Sequence, residues 1–169
     1  MTERDLRQAF EDHQDAVYDF AFRMTGSETV AEDVAQDCFL ELLRHPGRFD
    51  EKRGSLRTFL FGVTRNLVHR RWRNDHGLVS FDGSEERLRS RSPDLETGAI
   101  ATMIREAVQS LPPFQREAVL LFEYEGFTLE EIAGIADVDV GTVKSRLHRA
   151  RERLRQVLAP LRNDSGVHK

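Results

Sequence analysis

The basic residues of this sequence are concentrated in two stretches whose composition suits binding to a polyanion. Residues 52–73 contain seven Lys or Arg and no Asp or Glu, and residues 140–162 contain seven basic residues and one acidic residue. Two separated stretches of this kind indicate two places that meet a polyanion. Two solvated helix faces are the alternative explanation. Residues 1–51 and 74–139 are acidic, which leaves the whole chain with a net charge of −4.

The second basic stretch is preceded by the pattern of a helix-turn-helix. Thr128 and Glu131 have the spacing of a capping box, which would start a short helix. Asp137 then falls where the turn needs a left-handed backbone, a conformation that Asp tolerates better than most residues. Asp139 is a suitable N-cap for a long, arginine-rich helix predicted over 140–158. An ordinary helical hairpin with one charged face is the alternative.

The second helix of such a motif fits the major groove of duplex DNA, with its first residues at the base edges. Arg and Lys can donate to guanine O6 and N7, and Ser can serve several bases. The side chains expected to project outward are Lys144, Ser145, His148, Arg149 and Arg151. We expect Arg146, Arg153 and Arg155 to face phosphates or the domain itself.

The first basic stretch differs because aromatic residues are interleaved with its cations. Phe49, Phe59, Phe61 and Trp72 lie among or beside the basic residues. Cations can follow a phosphate backbone while exposed rings stack on unpaired bases, at about 1–3 kcal/mol per base. Asn66 adds an amide that could read a base edge. The alternative is that Phe59 and Phe61 belong to the core and that Trp72 covers it.

Acidic residues form one face of a predicted helix near residue 40. Asp33, Asp37, Glu41 and His45 are each four residues apart, so they share a helical face that could hold a metal. Metal–carboxylate bundles need matching ligands on other helices, and no Glu-x-x-His is present. A solvated face is the second alternative, and a face that docks another protein is favoured. No phosphate-cradling glycine loop or nucleophile signature is found, so no catalytic residue, cofactor or metal is predicted.

Apolar spacing predicts an all-α chain of two small domains. Stripes at helical spacing recur, and no segment shows the alternation of a strand. Helices are expected to end near Gly26 and at His45–Pro46, and a third is expected to follow Gly54 and Ser55. In the second domain, helices are expected from about Ala101 to before Pro112, and from Pro113 to Gly126. Residues 82–98 are rich in Ser, Gly and charge, which is typical of a flexible linker.

Composition excludes several other classes of protein. The single cysteine, Cys38, permits no internal disulfide and no cysteine-based zinc site, and it is consistent with a reducing compartment. No apolar run approaches the length of a membrane span, so no membrane contact is expected. The mixed-charge N-terminus does not resemble a signal peptide, and a cytoplasmic location is predicted.

Two blocks of this sequence resemble a known family of bacterial transcription proteins. The first block consists of AEDVAQDCFLELLR (31–44), RFD (48–50) and SLRTFLFGVTRNLVHRRWR (55–73), and it is similar to region two of the extracytoplasmic-function (ECF) class of sigma factors. The second, LPPFQREAVLLFEYEGFTLEEIAGIADVDVGTVKSRLHRARERL (111–154), resembles region four of that class. Phe59 departs from the pattern, since a Trp is commoner there, and the tail 163–169 has no counterpart.

The resemblance implies that the chain is a promoter-specificity subunit of RNA polymerase. It also implies that this subunit is not itself an enzyme. It implies docking on the clamp helices of the largest polymerase subunit by Asp33, Val34, Gln36, Asp37, Phe39 and Leu40. It implies capture of the melted minus-ten element by Phe49, Lys52, Arg53, Arg57 and Asn66, with Arg70, Arg71, Trp72 and Arg73 near the duplex edge. It implies minus-thirty-five readout by Lys144, Ser145, His148 and Arg149, with phosphate contacts from Thr142, Arg146 and Arg151.

The resemblance also implies an organisation and further partners. The expected organisation is region two over 1–80, the linker over 81–100, region four over 101–162 and a tail over 163–169. The expected partners are core RNA polymerase, including the flap of its second-largest subunit, promoter DNA, and an anti-sigma factor. An autonomous DNA-binding regulator, whose N-terminal domain binds an effector or dimerises, is the alternative function.

Overall fold

A computed structural model describes residues 1–76 and 98–164, and every regular element within those ranges is a helix. The first unit consists of α1 (Glu3–Thr25), α2 (Glu28–Arg44), a 3-10 turn (Pro46–Arg48) and α3 (Leu56–His76). The second consists of α4 (Ala99–Gln109), α5 (Pro113–Val119) with a π-helical turn (Leu120–Tyr124), α6 (Leu129–Ala136), α7 (Val140–Val157) and α8 (Ala159–Asp164). The all-α prediction is confirmed. The predicted linker, apart from its last three residues, and tail residues 165–169 lie outside the described residues.

The first unit is a bundle in which α1, α2 and α3 pack against one another. Its helices begin and end at the residues that the sequence indicated. Gly26 ends α1 with a left-handed backbone (φ 71°), and α2 ends before Pro46. The apolar stripes face inward, and the fully buried side chains of the bundle include Val17, Phe20, Met24, Val34, Cys38, Leu42, Leu60, Phe61 and Val68.

The second unit contains the predicted helix-turn-helix. Thr128 Oγ1 accepts from the Glu131 N–H at 3.1 Å, and the Glu131 carboxylate accepts from the Thr128 N–H at 3.0 Å. Asp137 ends α6 in the left-handed region with φ 55° and ψ 49°. The Asp139 carboxylate caps α7 by accepting the Thr142 N–H at 2.7 Å. The capping box, the left-handed turn residue and the long basic helix are therefore confirmed.

Two helix boundaries in the second unit differ from the prediction. Helix α4 begins at Ala99, with Gly98 as its N-cap, slightly before the expected start. The helix expected to run unbroken to Gly126 changes at Leu120 into a π-helical turn, where the Glu125 N–H donates to the Leu120 carbonyl at 3.0 Å. A π turn holds one extra residue within an ordinary helical sequence, so apolar spacing does not reveal it.

The two units pack directly against each other, which the sequence did not indicate. Helix α3 lies against α6, and α1 lies against α5. Phe61 of α3 and Phe127 before α6 are both buried and meet edge to face, with ring centroids 5.1 Å apart. The apolar side chains of both units therefore form one continuous core. As a result, one side of the basic helix α3 faces the second unit.

The capping box gives the first testable prediction. We expect Thr128→Ala to lower the free energy of unfolding by about 1 kcal/mol, because the Glu131 N–H loses its acceptor at the helix start. Urea denaturation followed by circular dichroism measures the change. Thr128→Ser keeps the hydroxyl and serves as the control, so an equal loss in both variants would contradict the capping explanation.

Candidate nucleic-acid interface

The exposed face of α7 presents the predicted duplex-reading residues together. Lys144, Ser145, His148 and Arg149 are all exposed, and Thr142 is half-buried. A shallow cavity of about 670 Å³ lies between the start of α5 and this face, and Thr142, Ser145 and Arg149 line part of it. Hydroxyl donors and cations along the first turns of one helix can contact base edges and phosphates within one groove.

Arg146 and Arg151 are held by neighbouring side chains of the same unit. The Arg146 guanidinium lies 4.5 Å from the centroid of the Phe114 ring, and burial lowers the pKa of this group. Arg151 pairs with Glu123 at 3.2 Å and lies 5.4 Å from the centroid of the Phe122 ring. Arg146 is half-buried while Arg151 is exposed, so only Arg151 lies fully at the surface.

The loop before α3 and one side of α3 carry the predicted single-strand residues. Lys52, Arg53, Asn66, Arg70 and Arg73 are exposed. These residues give the loop and the helix an accessible cationic surface that also carries one amide. Phe49 and Phe59 are half-buried against each other, with ring centroids 5.6 Å apart.

Two of the predicted single-strand residues, Arg57 and Trp72, are engaged in contacts inside the protein. The Arg57 guanidinium donates to the Glu125 carbonyl at 2.6 Å and lies 4.0 Å from the centroid of the Phe127 ring. Trp72 is only 7% exposed, with the Arg116 guanidinium 5.8 Å from the centroid of its ring. Open stacking of Trp72 on a base is therefore not available in this arrangement, because α3 turns this residue toward the second unit. Phe61 is a core residue, as the alternative explanation held.

A buried carboxylate, which the sequence analysis missed, lies between the two units. Glu117 of α5 is 1% exposed, and its Oε1 lies 2.5 Å from Arg65 Nε and 3.1 Å from His69 Nε2, both on α3. Burial by itself raises the pKa of this carboxyl, but the hydrogen bond and charge of His69 and the charge of Arg65 outweigh it, so the net pKa lies below the ordinary 4.5. The sequence did contain a signal for this buried carboxylate. Glu117 lies three residues after Phe114 and four before Leu121, on an otherwise apolar stripe.

A second set of polar contacts joins the units at the end of α1. The Arg116 guanidinium donates to the carbonyls of Met24, Gln109 and Leu111. The Gln109 side-chain amide donates to the Arg23 carbonyl. Both groups therefore satisfy carbonyls at the C-terminal end of α1, where a cation is favoured by the helix dipole. Burial lowers the pKa of Arg116 to about 10, which leaves the group charged at neutral pH.

The predicted docking face of α2 is confined to one side of the helix. Asp33, Gln36 and Asp37 are exposed, and Phe39 and Leu40 are half-buried. Val34 must be reassigned, since it is fully buried on the core side of α2 and can only support that face. Arg71 lies 3.6 Å from Asp33 and 3.8 Å from Asp37, so it neutralises part of the acidic face.

The structure adds two apolar residues to this face. Phe10 of α1 is 45% exposed and meets Phe39 edge to face at 5.1 Å, and Leu43 of α2 is 56% exposed. Exposed apolar side chains beside carboxylates are typical of a surface that docks another protein. Leu43 could have been identified from the sequence, because it follows Phe39 by four residues and therefore lies on the same face of α2.

The same helix shows no feature of a metal or thiol centre in the described part of the chain. Within residues 1–76 and 98–164, no three His, Cys, Asp or Glu side chains come together as metal ligands. Glu41 instead pairs with Arg48. Burial raises the pKa of the Cys38 thiol to about 11, which makes it a poor nucleophile.

Within residues 1–76 and 98–164, no helix is long and apolar enough to cross a bilayer.

The fold and these surfaces define a two-part helical DNA-binding protein, and comparison with known proteins gives its family. The family model for Sigma-70 region 2 matches residues 9–77, and that for Sigma-70 region 4 matches residues 101–154. The chain therefore belongs to the sigma-70 family of RNA polymerase sigma factors, in its ECF class, and functions in promoter-specific transcription initiation.

Individual relatives agree with this assignment. The ECF sigma factor SigE of Mycolicibacterium smegmatis is 35% identical over 87% of this chain, which spans 59% of SigE. The ECF sigma factor SigL of Mycobacterium tuberculosis is 31% identical over 92% of this chain and 90% of its own length. Among solved structures, the sigma factor RpoE from Bartonella quintana, in complex with the anti-sigma factor NepR, has a TM-score of 0.75 and 28% identity, covering 92% of this chain and 98% of its own.

Proposed function

We propose that this sigma factor docks on core polymerase through α2, holds the melted minus-ten strand with α3 and the loop before it, and reads the minus-thirty-five duplex with α7. The observation that carries the proposal is the helix-turn-helix. Its capped, left-handed turn at Asp137 directs Lys144, Ser145, His148 and Arg149 outward along one face. The proposed domain boundaries are 1–80, 81–100, 101–162 and 163–169.

The proposed docking surface combines Asp33, Gln36 and Asp37 with the apolar group of Phe10, Phe39, Leu40 and Leu43. We propose the clamp helices of the largest polymerase subunit as its partner, and a mixed apolar and acidic surface suits a partner with apolar and basic side chains. Region four is proposed to contact the flap of the second-largest subunit. Polymerase performs the chemistry of RNA synthesis, and we assign this chain no catalytic role.

The proposed strand surface uses Phe49, Lys52, Arg53, Asn66, Arg70 and Arg73, with Arg57, Arg71 and Trp72 at its edges. Asn66 is exposed, and its Oδ1 accepts from Arg65 Nη1 at 3.3 Å, which engages the oxygen and not the N–H₂ group that would donate to a base. A flipped base needs such a hydrogen-bonding group beside a cationic track.

The proposed partners also include an anti-sigma factor, and the proposed location is the cytoplasm, where polymerase and promoter DNA are found. The similarity to RpoE, which was solved with its anti-sigma factor, extends over both regions. Such a partner would have to cover the polymerase-docking face or the DNA faces in order to silence the protein.

Run-off transcription tests the proposed function directly. We expect core polymerase with this chain to start at a defined subset of a promoter library, and core polymerase alone to show no such selectivity. Specific duplex binding by the chain without polymerase, and no change in start sites when polymerase is present, would favour the autonomous regulator instead.

Asn66→Ala tests strand capture. We expect it to lower open-complex formation by about tenfold, since a well-placed base contact contributes about 1–3 kcal/mol, while promoter binding in the closed complex is unchanged. Permanganate footprinting measures strand opening, and gel shift measures promoter binding. Asn74→Ala, at an exposed position on the same helix, is the matched control, and an equal loss of both activities in the Asn66 variant would contradict the assignment.

Arg149→Ala tests duplex reading. We expect a cost of about 1–3 kcal/mol at one upstream base pair and a relaxed preference there, because a side chain that contacts a base edge reads only that position. Selection from randomised minus-thirty-five sequences measures the preference. Arg153→Ala, also exposed on α7, should weaken binding evenly across sequences. Even weakening by the Arg149 variant would reduce its role to a phosphate contact.

A further inference from the structure

One cation of α3, Arg71, lies between the proposed strand surface and the proposed docking face. Arg70 and Arg73 are exposed and three residues apart, so they share one side of α3. Arg71 is turned about 100° from Arg70 around the helix, and it faces α2 instead. There its Nη2 lies 3.6 Å from Asp33 Oδ2 and 3.8 Å from Asp37 Oδ2. A single guanidinium thus borders both surfaces.

The contact of Arg71 with the two carboxylates is open to exchange. The side chain of Arg71 is 36% exposed, and those of Asp33 and Asp37 are 51% and 49% exposed. Ion pairs this accessible contribute little to the stability of a fold, so the bundle tolerates their replacement by other partners. The fork of N–H donors on an arginine suits phosphate as well as carboxylate. Arg71 can therefore bind either group.

A protein that docks on α2 would compete with Arg71 for these carboxylates. Leu40 and Leu43 follow Asp37 by three and six residues, so the leucines and the carboxylates share one side of α2. A partner that covers the leucines also removes water from the carboxylates, which then require a cation close by. A basic partner supplies its own cations, and these repel the Arg71 guanidinium. Docking of such a partner therefore favours the departure of Arg71 from α2.

A guanidinium released from α2 is close to the strand surface. Arg71 is next to Arg70 in the chain, and its long side chain can turn toward the side of α3 that carries Arg70 and Arg73. A further cation on that side neutralises one more phosphate of a bound strand. Both the affinity for the strand and its dependence on salt rise as a result.

We propose that Arg71 couples the two binding surfaces of region two, so that a basic partner on Asp33 and Asp37 releases this guanidinium to a phosphate of the strand. The identity of both surfaces rests on the function proposed above. The coupling lies within α2 and α3 and requires no movement of the second unit. Because coupling between two sites is reciprocal, a strand that binds Arg71 also frees the carboxylates for the docking partner.

Strand binding by the full chain, without polymerase, tests one direction of the coupling. Fluorescence anisotropy of a short, labelled single-stranded DNA of mixed sequence measures the affinity over a range of salt concentrations. The double variant Asp33→Asn/Asp37→Asn keeps the size of both side chains and removes their charge, so it releases Arg71. We expect strand binding about threefold tighter than in the wild type, the size of effect that an exposed ion pair has. The slope of log affinity against log salt should become steeper by about 0.7, the value for one more phosphate of a single strand.

Two controls separate this coupling from a general change of charge. Glu11→Gln/Asp15→Asn removes two exposed carboxylates from α1, and we expect a smaller gain in strand affinity and no steeper salt dependence. Adding Arg71→Gln to the α2 variant should cancel the gain. A gain of equal size in the α1 variant, or a gain that persists without the Arg71 cation, overturns the coupling.

Binding to core polymerase, without DNA, tests the other direction. Arg71→Gln leaves Asp33 and Asp37 without their cation, so we expect it to bind polymerase about threefold more tightly than the wild type in biolayer interferometry. Arg4→Gln, at an exposed position on α1, removes the same charge and is the matched control. Equal polymerase binding by these two variants overturns the coupling.

The polymerase affinity of Asp33→Asn/Asp37→Asn distinguishes failure of the coupling from failure of the proposed function. We expect this variant to bind polymerase more weakly than the wild type. Unchanged binding shows that the docking face is wrongly assigned, and it overturns the coupling as well. Weaker polymerase binding with no gain in strand affinity overturns the coupling alone and leaves the docking face in place.

Discussion

A carboxylate that is 1% exposed, Glu117, is buried where the two halves of this sigma factor meet. Burying an unpaired charge costs several kcal/mol, so Glu117 can stay in place only while Arg65 and His69 lie against it. Its lowered pKa shows that these partners more than offset the effect of burial. The ionised Glu117 carboxylate therefore adds stability above pH 4.5, and this contribution is lost as the pH falls through the lowered pKa. The basic side chains that face it are Arg65, His69 and Arg146.

The contact between Glu117 and Arg65 is one of several in which a basic residue of α3 pairs with a carboxylate from another part of the chain. The basic stretch 52–73 has no acidic residue of its own, yet three of its arginines pair with carboxylates elsewhere in the chain. Arg71 pairs with a carboxylate on α2, and Arg57 and Arg65 pair with carboxylates of the second unit. The acidic segments therefore act as internal substitutes for DNA phosphate. A strand that binds α3 as proposed would have to displace some of these carboxylates, which would weaken the affinity of the free chain for DNA. Polymerase can supply the missing affinity, because tethering both partners raises their effective concentration.

Local sequence chemistry predicted most of the fold and the outward face of α7. Capping residues such as Thr128 and Asp139, and the left-handed position of Asp137, act over three or four residues and can therefore be identified without tertiary information. The packing of the units was not predictable in that way. Phe61, Arg65 and Trp72 occur in a stretch whose composition suits nucleic-acid binding, and that composition is equally satisfied by Phe127, Glu117 and Arg116 of the same chain. Only the tertiary structure shows which partner each residue has.

The two helices proposed to bind DNA consequently differ in how much of their surface the rest of the chain covers. Helix α7 keeps its reading face clear, because its contacts with the core run through Val143, Leu147 and Ala150 on the opposite side. Helix α3 has three differently occupied sides. Val68 faces the bundle, Arg65 faces region four, and Asn66 faces solvent. Arg65 links the last two, because Nε contacts Glu117 while Nη1 contacts the Asn66 amide. The side chain proposed for base recognition, Asn66, and the buried Glu117 carboxylate therefore share one hydrogen-bond partner, the Arg65 guanidinium.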